Sequence, residues 1–300
     1  MTALARRAVL AVLFSAGAAA GYAAGPCADW VPQPKPQNAS RDVVGKDLDE
    51  IVERGWIEFG LYENFAPWSW DDHGTVRGID VDIARLIAES LGVESRFRLV
   101  ASAETLEADL MNWVWKGPVT GGQVVNVLMH VPVNPEFSCR VEQVVFTGQA
   151  YRQGIAIAYD EAAYPEEKPV PAYFRFDTVG VENDSISDFY LTTLLGGQVQ
   201  SNVHRYPSTV AAVAGLGRGE VKAAMGPQAE LEWNRPEGVA VHAPPLPGFG
   251  AGQWTLGVGV SFHYRPLAYA VDDAIAAAIA DGRMAAIFAG YGVSWLPPDR

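Results

Sequence analysis

The sequence predicts an α/β protein built from two lobes, with a ligand cleft between them. A strand at residues 56–61 is followed by an aromatic-rich loop and an amphipathic helix, which together form a βα unit. The continuous apolar run at 124–129 is typical of a buried parallel strand. A second series of strands and helices begins at Thr178. Because the α/β pattern occurs twice, a cleft between two lobes is the expected ligand site.

The first βα unit organises the rest of the chain. Apolar residues recur at helical spacing over 83–91, and Asp80 or Asp82 is expected to serve as the N-cap of this helix. Gly92 stands where a left-handed residue commonly ends a helix. The preceding loop, residues 62–70, is rich in aromatic side chains. Since ligands of open α/β sheets bind outside the carboxyl ends of strands, this loop is a candidate rim of the site.

The remaining elements are predicted from local periodicity and from glycine and proline breaks. Residues 130–135 contain two prolines and are expected to be irregular. We predict further strands at 97–100, 154–159, 223–225 and 254–261, and helices at 105–115, 209–216 and 272–288.

The predicted order of elements places one lobe as an insertion in the other. The chain is expected to cross between the lobes near residue 150 and again near residue 245. The first lobe would therefore take residues 46–152 and 246–300, and the second lobe residues 153–245.

The N-terminus has the pattern of a secretory signal. Arg6 and Arg7 precede a short apolar run that ends in small residues, and cleavage after Ala20 or Ala24 is expected. The alternative, a membrane anchor, is disfavoured because the run is too short to span a bilayer. We therefore predict a signal peptide at residues 1–24, an extended proline-rich tail at 25–45, and a periplasmic location for the mature chain.

The charge and the cysteines narrow the possible partners. Removal of the signal takes away two arginines and changes the formal net charge from −13 to about −15, which argues against nucleic-acid binding. The two cysteines are Cys27 and Cys139. In an oxidising compartment a disulfide between them is allowed, and two free or buried thiols are the alternative.

Catalytic and cofactor signatures are not evident in the sequence. The five histidines are scattered without metal-ligand spacing, and no Gly-x-Ser-x-Gly elbow occurs. The glycines at 215–219 follow a helical pattern and indicate a helix end rather than a phosphate loop. We therefore expect neither a bound metal nor a cofactor.

Several stretches, in order along the chain, carry a resemblance to a known family. They are residues 48–55, 78–93, 179–191, 219–226 and 280–292. Together they resemble the extracytoplasmic solute-binding proteins of ABC transporters, polar amino-acid type, family 3. The resemblance implies a type II periplasmic-binding fold, a non-enzymatic function as a solute receptor, and an ABC permease as partner.

The resemblance also implies site residues. The family's ligand-stacking aromatic matches Trp68, whose alternative role is packing on Trp70. The family's carboxylate-gripping arginine matches Arg140, a residue type that bonds a carboxylate through two parallel hydrogen bonds. The family's hydroxyl-bearing turn at a helix start matches Ser185, with Asp184 in place of a glycine.

Two departures from the family pattern affect the expected ligand. After the buried strand, His130 begins a stretch that carries two extra residues before Arg140. Pro227 and Gln228 follow the later strand, where the family has an aspartate for the ligand's ammonium group. Common amino acids are therefore not expected to bind, and a small polar or anionic ligand is. His130 is expected in the cleft, its alternative being a hydrogen bond to a neighbouring carbonyl.

A sub-family shares some of these departures. Residues 109–117 and 129–133 resemble the periplasmic binding-protein homologues associated with quinoprotein (PQQ) alcohol or methanol dehydrogenases, the J-type proteins. This resemblance implies an accessory role beside a PQQ dehydrogenase and cytochrome c. The alternative from another class is an enzyme on the same fold, similar to cyclohexadienyl dehydratases, with Glu142, Asp184 or His130 as its acid or base.

Overall fold

The computed structural model describes Val31, residues 46–250 and residues 252–299. The predicted signal peptide, the rest of the predicted tail and Cys27 lie outside the described residues.

The described chain alternates strands and helices. The strands are β1 Trp56–Tyr62, β2 Trp70–Asp72, β3 Thr75–Arg77, β4 Glu94–Val100, β5 Val127–Pro132, β6 Val144–Asp160, β7 Val179–Glu182, β8 Val203–Tyr206, β9 Ala223–Pro227, β10 Val239–His242 and β11 Gln253–Ser261. The α-helices are α1 Leu48–Arg54, α2 Ile79–Ser90, α3 Leu106–Leu110, α4 Pro135–Ser138, α5 Ile186–Thr193, α6 Thr209–Gly217, α7 Gln228–Glu232, α8 Arg265–Ala280 and α9 Arg283–Gly290. One π-helical turn, Met111–Trp115, continues α3.

The main sheet has the strand order β4-β1-β5-β11-β6-β9-β7-β8, and β10 also pairs with β6. Strand β1 is parallel to β4 and β5, and β7 is parallel to β8 and β9. The 17-residue strand β6 pairs first with β11 and then with β9 and β10. We call β1, β4, β5, β11, the first part of β6 and their helices the first lobe, and β7–β10 with α5–α7 the second lobe.

This mixed α/β architecture confirms the predicted fold class. The boundaries 46–152, 246–300 and 153–245 stay a prediction.

Each lobe has its own buried packing. In the first lobe, the apolar face of α2 packs with β1, α8 and α9 into one cluster that includes Ile57, Phe59 and Ile87. In the second lobe, separate clusters cover the two sides of the sheet. Gly92 has φ +69° and ends α2 in the left-handed region, as predicted.

Three local predictions are wrong. Neither Asp80 nor Asp82 is the N-cap of α2, because Gly78 holds that position with φ +139°. A β-carbon at Gly78 would lie 2.0 Å from the carbonyl oxygen of Trp68, so the backbone contact excludes any side chain there.

The other two errors concern element boundaries. The buried strand extends through Pro132 rather than ending before His130, and it ends at Pro132, which has no backbone N–H to donate. The predicted helix at 272–288 is two helices, because Gly282 at φ +86° interrupts it. No helix among the described residues is long and apolar enough to cross a membrane.

Candidate ligand-binding site

A cavity of about 630 Å³ lies where strands of both lobes end. Tyr62, Pro132 and Glu182 are the last residues of β1, β5 and β7, and all three line it. The other lining residues come from the first lobe: Glu63, Asn64, Phe65, Ala101, Ser102, Leu106, Asp109 and His130. The position of this cavity agrees with the expectation that ligand sites lie at the carboxyl ends of strands.

His130 lines the cavity, and a buried carboxylate fixes its orientation. Nδ1 of His130 lies 2.8 Å from Oδ2 of Asp80 and 2.8 Å from the hydroxyl of Tyr151. The Tyr151 hydroxyl also donates to Oδ1 of Asp80, at 3.4 Å. A carboxylate only accepts, so the neutral imidazole places its proton on Nδ1 and its lone pair on Nε2. The partner is a side-chain carboxylate rather than the backbone carbonyl considered in the sequence analysis.

Burial has the largest effect on the pKa of the Tyr151 hydroxyl. The pKa of its hydroxyl is raised well above the ordinary value, chiefly by burial and further by the charge of Asp80. Tyr151 therefore stays protonated and holds the Asp80–His130 pair in one arrangement.

Trp68 lies behind His130 and is fully buried. Its ring stacks on Tyr151 with centroids 5.0 Å apart and an interplanar angle of 6°, and it lies 4.8 Å from the ring of His130. Its Nε1–H donates to Glu230 of the second lobe at 3.3 Å. Trp68 is thus part of the wall behind the cavity, and it joins the two lobes; the structure leaves no exposed ring face for a ligand.

Glu230 is a buried carboxyl group at the contact between the lobes. Its pKa is raised to about 8, first by burial and then by the charge of Glu182, while the hydrogen bond from Trp68 lowers it. The side chain is therefore mostly neutral at pH 7. Glu230 does not line the cavity, so it does not replace the family's ammonium-binding aspartate, whose place is taken by Pro227 and Gln228.

Glu182 and Asp109 bring carboxyl groups to the cavity. Oε2 of Glu182 accepts from both the backbone N–H and the hydroxyl of Thr209, at 3.1 and 3.0 Å. Asp109 accepts from the Tyr62 hydroxyl at 3.0 Å and from the backbone N–H of Ala103 at 2.6 Å. Burial raises the pKa of Asp109. None of the described residues that line the cavity is a lysine or an arginine.

The second-lobe residues predicted for the site have local structural roles. Ser185 is the N-cap of α5 and accepts from the backbone N–H of Asp188 at 3.2 Å. Asp184 is exposed, has φ +58°, and its N–H donates to the Asp188 carboxylate. Arg205 closes this arrangement by donating twice to Asp188, at 2.7 and 2.9 Å. Neither Ser185 nor Asp184 lines the cavity.

The structure does not bring Arg140 to the cavity either. Arg140 is exposed, two residues after the end of α4. The N-cap of α4 is Asn134.

The other predicted residues also lie elsewhere. Trp70 packs on Trp233 and Tyr291, with ring centroids 5.3 and 6.2 Å apart. Glu142 lines a second cavity of about 630 Å³ beside the start of β6, together with Arg265 and Tyr269. Cys139 is disulfide-bonded. Its pairing with Cys27 stays a prediction.

Sequence reasoning missed Asp80, Tyr151, Glu182, Asp109 and Glu230. One signal was available for Asp80, because it interrupts the apolar face of a buried helix, where an unpaired carboxylate would be unfavourable. Glu230 and Trp68 are 162 residues apart in the chain, and their hydrogen bond depends on tertiary structure alone. No group of His, Cys, Asp or Glu side chains suited to a metal ion occurs in the described ranges.

Known families and structures agree with this architecture. The profile of the bacterial extracellular solute-binding proteins, family 3, matches residues 57–112, the stretch from β1 to the π-helical turn. No curated protein matches the chain.

Solved structures extend the likeness over most of the chain. An ancestral cationic amino acid solute binding protein, AncCDT-1, aligns with a TM-score of 0.66 and 19% identity over 82% of this chain and 99% of that chain. AncCDT-1 is also described as an ancestral amino acid-binding protein and a precursor of cyclohexadienyl dehydratase in a crystal structure with TM-score 0.58, 18% identity and coverage of 82% and 99%. The L-cystine solute receptor of Neisseria gonorrhoeae, in its unliganded open conformation, aligns with TM-score 0.58 and 16% identity over 85% of this chain and all of that chain.

The chain therefore has the two-lobed α/β fold of type II periplasmic binding proteins. Its first βα unit carries the sequence pattern of extracellular solute-binding proteins of family 3.

Proposed function

We propose that this chain is an extracytoplasmic solute-binding-type protein that holds a small ligand between its lobes without transforming it. The observation that carries the proposal is the cavity of about 630 Å³ at the carboxyl ends of β1, β5 and β7. Strands of both lobes contribute to it, so a ligand there would contact His130 on one side and Glu182 on the other. A volume of this size suits a small metabolite.

A solute bound only by the native state raises the melting temperature by mass action, and a thermal-shift screen detects this effect. The variant Leu106→Trp fills the cavity from its wall, because Leu106 lines it. The matched control is Tyr269→Ala, an exposed residue that lines the second cavity. We expect the shift to disappear in Leu106→Trp and to persist in Tyr269→Ala. A shift that survives in both variants would place the ligand outside the cavity.

Two biological roles fit this binding function. The fold supports a receptor that delivers a solute to an ABC permease in the periplasm. The stretches 109–117 and 129–133 support an accessory role beside a PQQ-dependent alcohol or methanol dehydrogenase and its cytochrome c. The position of Arg140 outside the described cavity lining and the replacement of the family's aspartate position by Pro227 favour the accessory role, because the usual amino-acid contacts are missing.

The two roles differ in their partners. Cross-linking in the native periplasm, followed by mass spectrometry, would recover permease subunits for a receptor. It would recover the dehydrogenase for an accessory protein. The genes that neighbour this one provide an independent check on the same choice.

An enzyme is the second candidate, favoured by the Asp80–His130 pair. A histidine that lines a cavity and is oriented through Nδ1 by a buried carboxylate is suited to general base catalysis. Cyclohexadienyl dehydratase activity is the first reaction to assay. Activity that is lost in His130→Gln while the fold is retained would replace the binding proposal.

A further inference from the structure

We propose that the cavity between the lobes selects a small organic cation that carries N–H donors beside an apolar segment and needs no carboxylate. This inference rests on the proposed binding function and specifies its ligand class. It replaces the expectation of an anionic ligand.

The charge of the lining is the first argument. Glu63, Asp109 and Glu182 bring three carboxyl groups to the cavity, and no lysine or arginine of the described lining opposes them. The guanidinium that would grip an anion, Arg140, is exposed elsewhere. An anionic ligand would enter this space without a countercharge, whereas a cation would be attracted by it.

The hydrogen-bonding capacity of the lining is the second argument. His130 uses the Nδ1–H for Asp80, so the Nε2 lone pair is the atom that the imidazole offers to a ligand. Both Thr209 donors go to Oε2 of Glu182, and among the described residues Oε1 has no hydrogen-bond partner. The two lobes therefore present acceptors rather than donors, which matches an ammonium or guanidinium group.

The aromatic wall is the third argument. The rings of Tyr62 and Phe65 meet edge to face with centroids 6.3 Å apart, and both residues line the cavity. Their faces suit the alkyl chain of an amine, and aromatic faces also attract cations within about 6 Å. A ligand with a charged end and an apolar stem would use both kinds of surface.

The usual amino-acid anchor is unfavourable here for a physical reason. An α-carboxylate needs a cation or free N–H groups at a helix start. In the second lobe, the Ser185 hydroxyl already accepts from the N–H of Asp188 in the first turn of α5, and the Asp188 carboxylate accepts from the N–H of Asp184 just before the helix. Glu182, three residues before the N-cap Ser185, brings a carboxylate to the same side of the cavity. The Glu182 carboxylate would repel a carboxylate on the ligand. A ligand that lacks the α-carboxylate should therefore bind more tightly.

Isothermal titration calorimetry with agmatine and L-arginine tests this difference, because the two molecules share a guanidinium and an alkyl chain and differ in the α-carboxylate. Putrescine and glutarate serve as a second pair, one dication and one dianion of similar length. We expect agmatine to bind at least about tenfold more tightly than L-arginine, and glutarate not to bind. Glu182→Gln, which keeps an acceptor for Thr209, should weaken agmatine binding by about tenfold or more.

Glu142→Gln is the matched control, because Glu142 lines the second cavity instead, and it should leave agmatine binding unchanged. Tighter binding of L-arginine or glutarate than of agmatine would overturn the ligand class and leave the proposed binding function standing. Equal weakening in both variants would overturn the assigned site. Absence of binding for all four probes would overturn this inference, while the broader thermal screen with Leu106→Trp decides the binding function separately. The four probes are compared on the wild-type chain. This comparison therefore tests the ligand class even if Glu182→Gln does not fold.

Discussion

Glu230→Gln should change how the stability of the protein depends on pH. Glu230 is buried against Trp68, and its pKa is about 8 in the folded chain against an ordinary value of 4.5. The folded state therefore binds the proton more tightly than the unfolded state. Consequently, the free energy of unfolding should fall as the pH rises from 4.5 to 8, and then stay constant with respect to this group.

The size of the effect follows from the two pKa values. A difference of about 3.5 pH units, at 1.36 kcal/mol per unit, corresponds to about 5 kcal/mol at pH 8 and above. At pH 7 the same reasoning gives about 3 kcal/mol. Glutamine has nearly the same shape, accepts the Trp68 hydrogen bond and does not ionise. We therefore expect Glu230→Gln to match the wild type within about 1 kcal/mol at pH 5 and to exceed it by several kcal/mol at pH 8.5.

Urea unfolding followed by tryptophan fluorescence at pH 5, 7 and 8.5 measures these free energies. Glu237→Gln removes an exposed carboxylate just after α7 and should leave the pH dependence unchanged. If the free energies of unfolding of Glu230→Gln and the wild type differ by the same amount at all three pH values, the assignment of a neutral buried carboxyl group to Glu230 is refuted.

The remaining predictions concern the backbone and the second lobe. Gly78→Ala should destabilise the fold by roughly 3 kcal/mol or more, because its β-carbon would meet the Trp68 carbonyl oxygen at 2.0 Å, whereas Gly290→Ala, with open space at its β-carbon, should be neutral or slightly stabilising. Thermal denaturation of this pair checks both values. Asp188→Ala should cost about 2 to 4 kcal/mol, since it removes a buried carboxylate that accepts twice from Arg205. Arg205→Ala, which leaves Asp188 buried without its cation, should cost a comparable amount in the same assay, and a loss below about 0.5 kcal/mol in both variants would contradict the assigned pair.

Sequence reasoning identified the fold because the fold depends on local patterns. The strand, loop and helix around Gly92 combine helical periodicity with a left-handed stop, and the 124–129 run is apolar on both faces, as a central parallel strand requires. It also placed His130 near a strand end, where the cavity is. These features follow from residues that are neighbours in the chain.

Residue roles that depend on tertiary contacts could not be predicted in the same way. An aromatic residue after a strand can stack on a ligand or on the core, and Trp68 does the latter because Tyr151 approaches from β6. Arg140 resembles the family's arginine in the sequence, but it is exposed just beyond α4 and does not line the cavity. Glu182 and Glu230 approach each other only because β7 and β9 are neighbours in the sheet.

A crystal structure of the protein with agmatine tests the central claim most directly. The account predicts density for the ligand in the cavity between the lobes, with nitrogen atoms about 3 Å from Nε2 of His130 and from the Glu182 carboxylate. Density in the second cavity beside Arg265, with the space between His130 and Glu182 filled only by water, would contradict it.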